Sequence, residues 1–230
     1  PPAAPEPWHD VVDALDYGPA CPQPGFPETT SEDCLFLNVW TPSSGDAARR
    51  PVIVYIHGGA YASGSGSGAL YDGARLAQRG DVVVVTLNHR LNAFGYLYLD
   101  RSLRRADLAD SGNCGQLDLV LALQWVRDNI AAFGGDPDCV TVFGQSGGGA
   151  KIATLMAMPA ASGLFHRAAT MSGQQVTASG PLNAAARTRA LLDTLGLPSH
   201  REEEILNLPA ERLVEAMQAT DPIIGKGRIY

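Results

Sequence analysis

Lysine is almost missing from this chain: only Lys151 and Lys226 occur among 230 residues. Lys+Arg total 17 against 24 Asp+Glu, a formal net charge of −7. Nucleic-acid binders neutralise phosphates with clustered cations, so that class is disfavoured. Cysteine is scarce as well, with four residues and no CxxC pair, which argues against a disulfide scaffold and a zinc module. No long hydrophobic run exists. The run from Val82 to Leu87 is interrupted by Thr86, and such runs fall far short of the ~20 residues a membrane-spanning helix needs. Internal repeats and low-complexity tracts are also missing. The chain opens Pro1-Pro2-Ala3-Ala4-Pro5 with no Met and no basic-then-apolar leader, and stops at Gly227-Arg228-Ile229-Tyr230 within what reads as continuing sequence. Both ends are therefore expected to be cut, and the compartment is not legible.

What is present is enough for a packed core: 45% hydrophobic residues, with 25 Gly and 16 Pro supplying many turns. Residues 1–33 are rich in Pro and acids and read as a surface arm. Residues 34–40, Cys-Leu-Phe-Leu-Asn-Val-Trp, form a short strand candidate. Residues 52–56 and 82–87 are nearly all apolar and β-branched, as suits strands buried on both faces. A third such strand is expected at 140–143 and a fourth core strand at 168–171. Helices are expected at 73–79, 117–132 and from the Gly144–Gly149 loop to Met158. Further helices follow at 182–195, at 201–206 with Ser199 and Glu202 as a capping box, and at 211–219. Buried strands alternating with helices define an α/β fold with a mainly parallel sheet flanked by helices. The expected organisation is a single, partial domain: arm 1–33, sheet core 34–172, helical region 173–230.

The sharpest motif is Gly144-Gln145-Ser146-Gly147-Gly148, a G-x-S-x-G between an expected strand and an expected helix. A tight turn there lifts a serine hydroxyl clear of the sheet, and small residues two positions away avoid collisions across the turn. The following helix aims its first amides at a forming oxyanion. The same loop nearly matches a phosphate-cradling P-loop. That motif requires Lys directly after the last Gly and then Ser or Thr, whereas Ala150 intervenes here and Ile152 follows Lys151. A second motif, His57-Gly58-Gly59-Ala60, ends another buried strand and resembles the loop that supplies half of an oxyanion hole.

Several stretches together carry a family resemblance: Glu32-Asp33-Cys34-Leu35, Asn88-His89-Arg90-Leu91, Gly112-Asn113-Cys114-Gly115-Gln116, Phe133-Gly134-Gly135-Asp136-Pro137 and the serine elbow. The chain resembles the type-B carboxylesterases, the cholinesterase-like branch of the α/β-hydrolases, and a bacterial member in particular. The resemblance implies Ser146 as the acylated nucleophile and an oxyanion hole from the amides of Gly59, Ala60 and Gly147, with Gly58 shaping the loop. It implies Ser172 as a supporting residue near the catalytic acid, and an Arg90–Asp136 ion pair. Cys21 and Cys34 match the partners of the family's first disulfide, a pair that a reducing compartment would leave as thiols. Cys114 and Cys139 read as small buried apolar residues. The chain departs from the family at Gln145, where Glu is common, at Gly147, where Ala is common, and at His89, where Tyr is usual.

A nucleophilic serine requires a base and an orienting acid, which in this fold follow it in the order acid, then His. After Ser146 only His166 and His200 remain. The first precedes a strand and the second sits at a helix start, while His57 belongs to the oxyanion loop and His9 to the arm. The acid and base are thus expected outside these residues, and the chain alone is expected to be inactive or very weak. The reading is a serine carboxylic-ester hydrolase acting on a small-molecule ester. It implies no cofactor, no metal, no nucleic-acid partner and no membrane span. The alternative is a non-catalytic cholinesterase-like binding or adhesion domain, which would be expected to lose the serine or the glycines.

Overall fold

The computed structural model describes residues 1–175 and 177–230. The β-branched runs form the centre of a five-stranded sheet: β1 (Leu37–Trp40), β2 (Arg50–Ile56), β3 (Val83–Leu87), β4 (Gly135–Gln145) and β5 (Arg167–Met171). Their order is β1-β3-β2-β4-β5. β2 lies parallel to β3 and β4, β5 is parallel to β4, and only β1 is antiparallel, to β3. Parallel neighbours need crossovers, which α1 (Ala74–Gly80) supplies between β2 and β3, and α4 (Cys114–Asn129) between β3 and β4. Short helices α2 (Asn92–Tyr96) and α3 (Asp100–Leu103) precede α4; α5 (Gly147–Leu155), α6 (Pro181–Thr194) and α7 (Ala210–Ala216) follow β4. No helix among the described residues is long and apolar enough to cross a membrane.

The main core joins the sheet to α4 and α5. Val52, Val54, Ile56, Val83, Val85, Val140 and Val142 pack with Leu119, Leu123, Val126, Ile152 and Leu155, all essentially inaccessible to water. A second core lies under the C-terminal segment, where Leu191, Leu192, Leu197, Ile205 and Ile229 close over Ala93, Leu97 and Leu99. Residues 3–17 are exposed, but Ala20, Cys21 and Gln23 are buried, so the expected arm is anchored at its end. Gln23 fixes it by accepting from the Gly64 N–H at 2.7 Å and donating to the Gly64 carbonyl at 2.9 Å.

Two expectations need correction. Arg90 pairs with Asp118, not with Asp136. The Asp118 carboxylate on α4 accepts from the Arg90 N–H at 2.9 Å, from Nε at 3.0 Å and from Nη2 at 2.7 Å. Asp136 lies at the start of β4, the opposite end of a parallel sheet from the residues after β3, and bonds to Arg49 instead. Among the described residues Ser199 caps no helix: Glu202 begins a 3-10 turn, and its buried carboxylate pairs with Arg189 on α6. Among the described residues β5 is the outermost strand of the sheet, exposed at Arg167, Ala168, Ala169 and Met171.

Candidate active site

Register decides the site. Ile56 on β2 is paired with Gly144 on β4, so the residues leaving the two strands, His57-Gly58 and Gln145-Ser146, emerge side by side at one sheet edge. Ser146 turns the chain from β4 into α5 with φ 56° and ψ −123°. A left-handed conformation in a non-glycine residue costs about 1–3 kcal/mol and persists only where its surroundings enforce it. Here the Ser146 N–H donates to the Met171 carbonyl at 2.8 Å. Gly148 and Gly173 complete the constraint: a Cβ on the first would strike the Ile56 carbonyl, and on the second the Ser146 carbonyl.

The loop after β2 presses against this turn. A Cβ on Gly58 would stand 2.7 Å from the Gln145 carbonyl and 3.5 Å from the Ser146 Cβ. Gly59 and Ala60 both take positive φ, 84° and 54°, and both are exposed. Among the described residues neither of their N–H groups has a backbone acceptor. Gly147 is the first residue of α5, where N–H groups lack intrahelical partners. A Cβ there would collide with the Ala60 carbonyl oxygen and stand 2.6 Å from the Ala60 Cα. Thus the structure gathers Ser146, Gly58, Gly59, Ala60 and Gly147 at one spot. A half-buried hydroxyl and unused N–H donors at a helix start are the groups needed to attack a carbonyl and hold the resulting oxyanion. Ser172 follows β5 with φ 54°, directly after the residue that fixes the Ser146 N–H.

No histidine hydrogen-bonds to Ser146 among the described residues. His57 is fully buried, with Nδ1 2.9 Å from the Gly58 carbonyl and its ring stacked on His89 at 4.7 Å and 8°. Burial, reinforced by the nearby Lys151 charge, pushes His57 down to about 3 and His89 well below the usual imidazole range. His166 accepts the Val140 N–H at 3.1 Å. Val140 stands six positions before Ser146, roughly 20 Å away along an extended strand. His200 is exposed in the turn before Glu202, and His9 is exposed near the N-terminus. Asp193 is exposed on α6 beside Arg189.

Cys21 and Cys34 come together as free thiols in one small buried cluster with Leu91. The bond to Cys21, with burial, pushes the Cys34 thiol well above its ordinary range. Cys114 is buried and Cys139 half-buried. Two clefts, one lined by Asp100, Arg101 and Arg104, the other by Gln23, Glu32 and Glu211, include neither Ser146 nor the loop after β2. Sequence reasoning missed Lys151, which is fully buried on α5 with Nζ donating to the Ala60 carbonyl at 2.6 Å. The available signal was a lysine set within the apolar run Gly149-Ala150-Lys151-Ile152-Ala153.

A serine elbow beside a glycine loop at one end of a mainly parallel sheet defines the α/β-hydrolase class. The carboxylesterase family model matches residues 1–225, and the chain belongs to that family. It is 48% identical over 223 residues to the para-nitrobenzyl esterase of Bacillus subtilis (strain 168), covering 94% of this chain and 44% of that protein. Identity to the acetylcholinesterase of Electrophorus electricus is 45% over 187 residues, covering 75% of this chain and 29% of that one. Among solved structures, the Geobacillus stearothermophilus carboxylesterase EST55 superposes with a TM-score of 0.89 at 45% identity, covering 97% of this chain and 46% of the other. The chain therefore spans less than half the length of the curated relatives it matches.

Proposed function

We propose that these residues carry the nucleophilic half of a serine carboxylic-ester hydrolase. The observation that carries this reading is the contact of Ala60 with Gly147 beside a strained, half-buried Ser146. In the reaction the Ser146 hydroxyl adds to the ester carbonyl and its proton passes to a base. The amides of Gly59, Ala60 and Gly147 hold the oxyanion, with Gly58 giving the loop room to approach. Collapse expels the alcohol and leaves an acyl group on Ser146, which water then removes. Strain at Ser146 keeps the hydroxyl presented, so little reorganisation is needed at the moment of attack.

The base and its orienting acid lie outside these 230 residues in this reading, because every histidine here is buried away from Ser146, exposed elsewhere or at the far end of the sheet. Loss of a triad member forfeits several orders of magnitude in rate, so the 230-residue chain by itself turns over ester poorly. The substrate is a small carboxylic ester, and the chemistry requires no metal or organic cofactor. In this reading Cys21 and Cys34, which share a buried cluster, join as a disulfide in an oxidising compartment.

The test is capture of Ser146 by a fluorophosphonate, together with p-nitrophenyl butyrate hydrolysis, in the protein that carries this chain and in its Ser146→Ala variant. Labelling and turnover that vanish in the variant support the proposal. A protein that neither labels nor turns over would overturn it in favour of a non-catalytic binding domain.

A further inference from the structure

Lys151 lies five residues after Ser146, and its side chain is completely inaccessible to water. Its Nζ reaches the Ala60 carbonyl at 2.6 Å and stands 5.0 Å from the centre of the Tyr61 ring. No carboxylate forms an ion pair with it among the described residues. The groups around it come from every neighbouring element. His57 leaves β2 and His89 follows β3, each with a buried Nε2 that has no partner. Tyr61 belongs to the loop, and Tyr96 of α2 meets it edge-on at 5.0 Å with its own hydroxyl unpartnered. Gln116 of α4 donates to the Lys151 backbone carbonyl at 3.2 Å. Both imidazoles are held neutral by burial, so neither competes with the ammonium for charge.

Such a charge is costly to bury and is strongly attracted to the one full acceptor it has. That acceptor is the carbonyl of a non-glycine residue at φ 54°, whose own N–H is one of the free donors beside Ser146. We propose that Lys151 is a positioning residue of the acyl-transfer site: its ammonium pins the Ala60 carbonyl, sets the direction of the Gly59 and Ala60 N–H groups and places positive potential behind the oxyanion. The proposal rests on the hydrolase reading for its catalytic consequence. Lys151 is not the missing base, because its amine is bonded to Ala60 and not to Ser146. Burial pushes it down to about 7, so the support weakens as pH rises through neutrality.

Two measurements separate the proposal from the reading beneath it. In the protein that carries the chain, the Tyr61 amide shares its peptide unit with the Ala60 carbonyl. Its NMR shift is expected to titrate near pH 7 and to stop doing so in Lys151→Met. In the protein that carries the chain, Lys151→Met is expected to lower kcat for p-nitrophenyl butyrate about tenfold or more with KM little changed, the signature of weakened oxyanion support. Lys151→Arg keeps a cation that does not titrate here and is expected to retain activity without an alkaline limb near pH 7. A Tyr61 amide that does not respond to Lys151, or a Lys151→Met variant that lowers thermal stability while leaving kcat and its pH profile intact, would overturn the proposal. Absence of turnover and of fluorophosphonate capture in the unmutated protein would overturn the hydrolase reading instead, and the Tyr61 titration would still decide whether Lys151 holds the loop.

Discussion

Gly147 and Ala60, 87 positions apart in sequence, meet backbone to backbone: a Cβ on the glycine would overlap the alanine carbonyl oxygen and lie 2.6 Å from its Cα. Gly147→Ala therefore has to push the loop after β2 outward, away from Lys151. Overpacking of this kind costs about 1–3 kcal/mol. Urea denaturation is expected to show a loss in that range, with slower fluorophosphonate capture at Ser146. Unchanged stability would mean that the loop yields freely.

The Arg90–Asp118 pair offers a second test. The Asp118 side chain is 1% exposed, and its carboxylate accepts from Arg90 Nε, Nη2 and the backbone N–H. Removing one partner strands the others, at a cost of about 3 kcal/mol or more for a buried pair. Asp118→Ala is expected to be destabilised by this amount in denaturant titration. Asp136→Ala, which removes a partner of the exposed Arg49 and the acceptor of the Asp138 N–H, should cost less, about 1 kcal/mol.

Lys151 makes stability depend on pH in a predictable direction. Its ordinary value is 10.5 and its folded value about 7, so between these limits the unfolded chain binds more protons. Stability then rises with pH, at up to roughly 1.4 kcal/mol per pH unit from this group. Its contribution is complete above the unfolded value and is lost as pH falls through 7. Lys151→Met should accordingly be more stable than the unmutated chain at pH 6, by a margin that narrows towards pH 9. A margin constant with pH in paired denaturation curves would contradict this.

Thiol accessibility provides a fourth. Cys139 is half-buried, whereas Cys21, Cys34 and Cys114 are buried, and Cys34 is held in its unreactive neutral form by its partner thiol and by burial. Iodoacetamide followed by peptide mass analysis should modify Cys139 first. Cys34 should react only on unfolding.

The central strands were legible because β2 and β3 are short, nearly unbroken apolar runs whose chemistry suits burial on both faces. The serine elbow and the glycine loop were legible because backbone geometry there permits few side chains. Partner choice was not legible. Arg90 could reach any carboxylate in a linear reading, and only the parallel sheet puts Asp136 at the wrong end. The Ser199–Glu202 pattern failed because Glu202 had a stronger partner in Arg189. α2 and α3 escaped notice because helices of five and four residues show too few turns for periodicity. The role of Lys151 is hidden from the sequence, because nothing local reveals that its amine meets a carbonyl 91 residues away.

The loop and the serine belong to strands that are neighbours in space but separated in sequence by α1, β3, α2, α3 and α4. Neither half of the site can be assembled by local folding. A refolding chain gains a reactive Ser146 only after β2 has found β4, a long-range pairing of the kind that slows folding. Covalent capture of Ser146 during refolding would therefore work as a clock for closure of the sheet centre, later than helix formation recorded by circular dichroism and insensitive to order at either terminus.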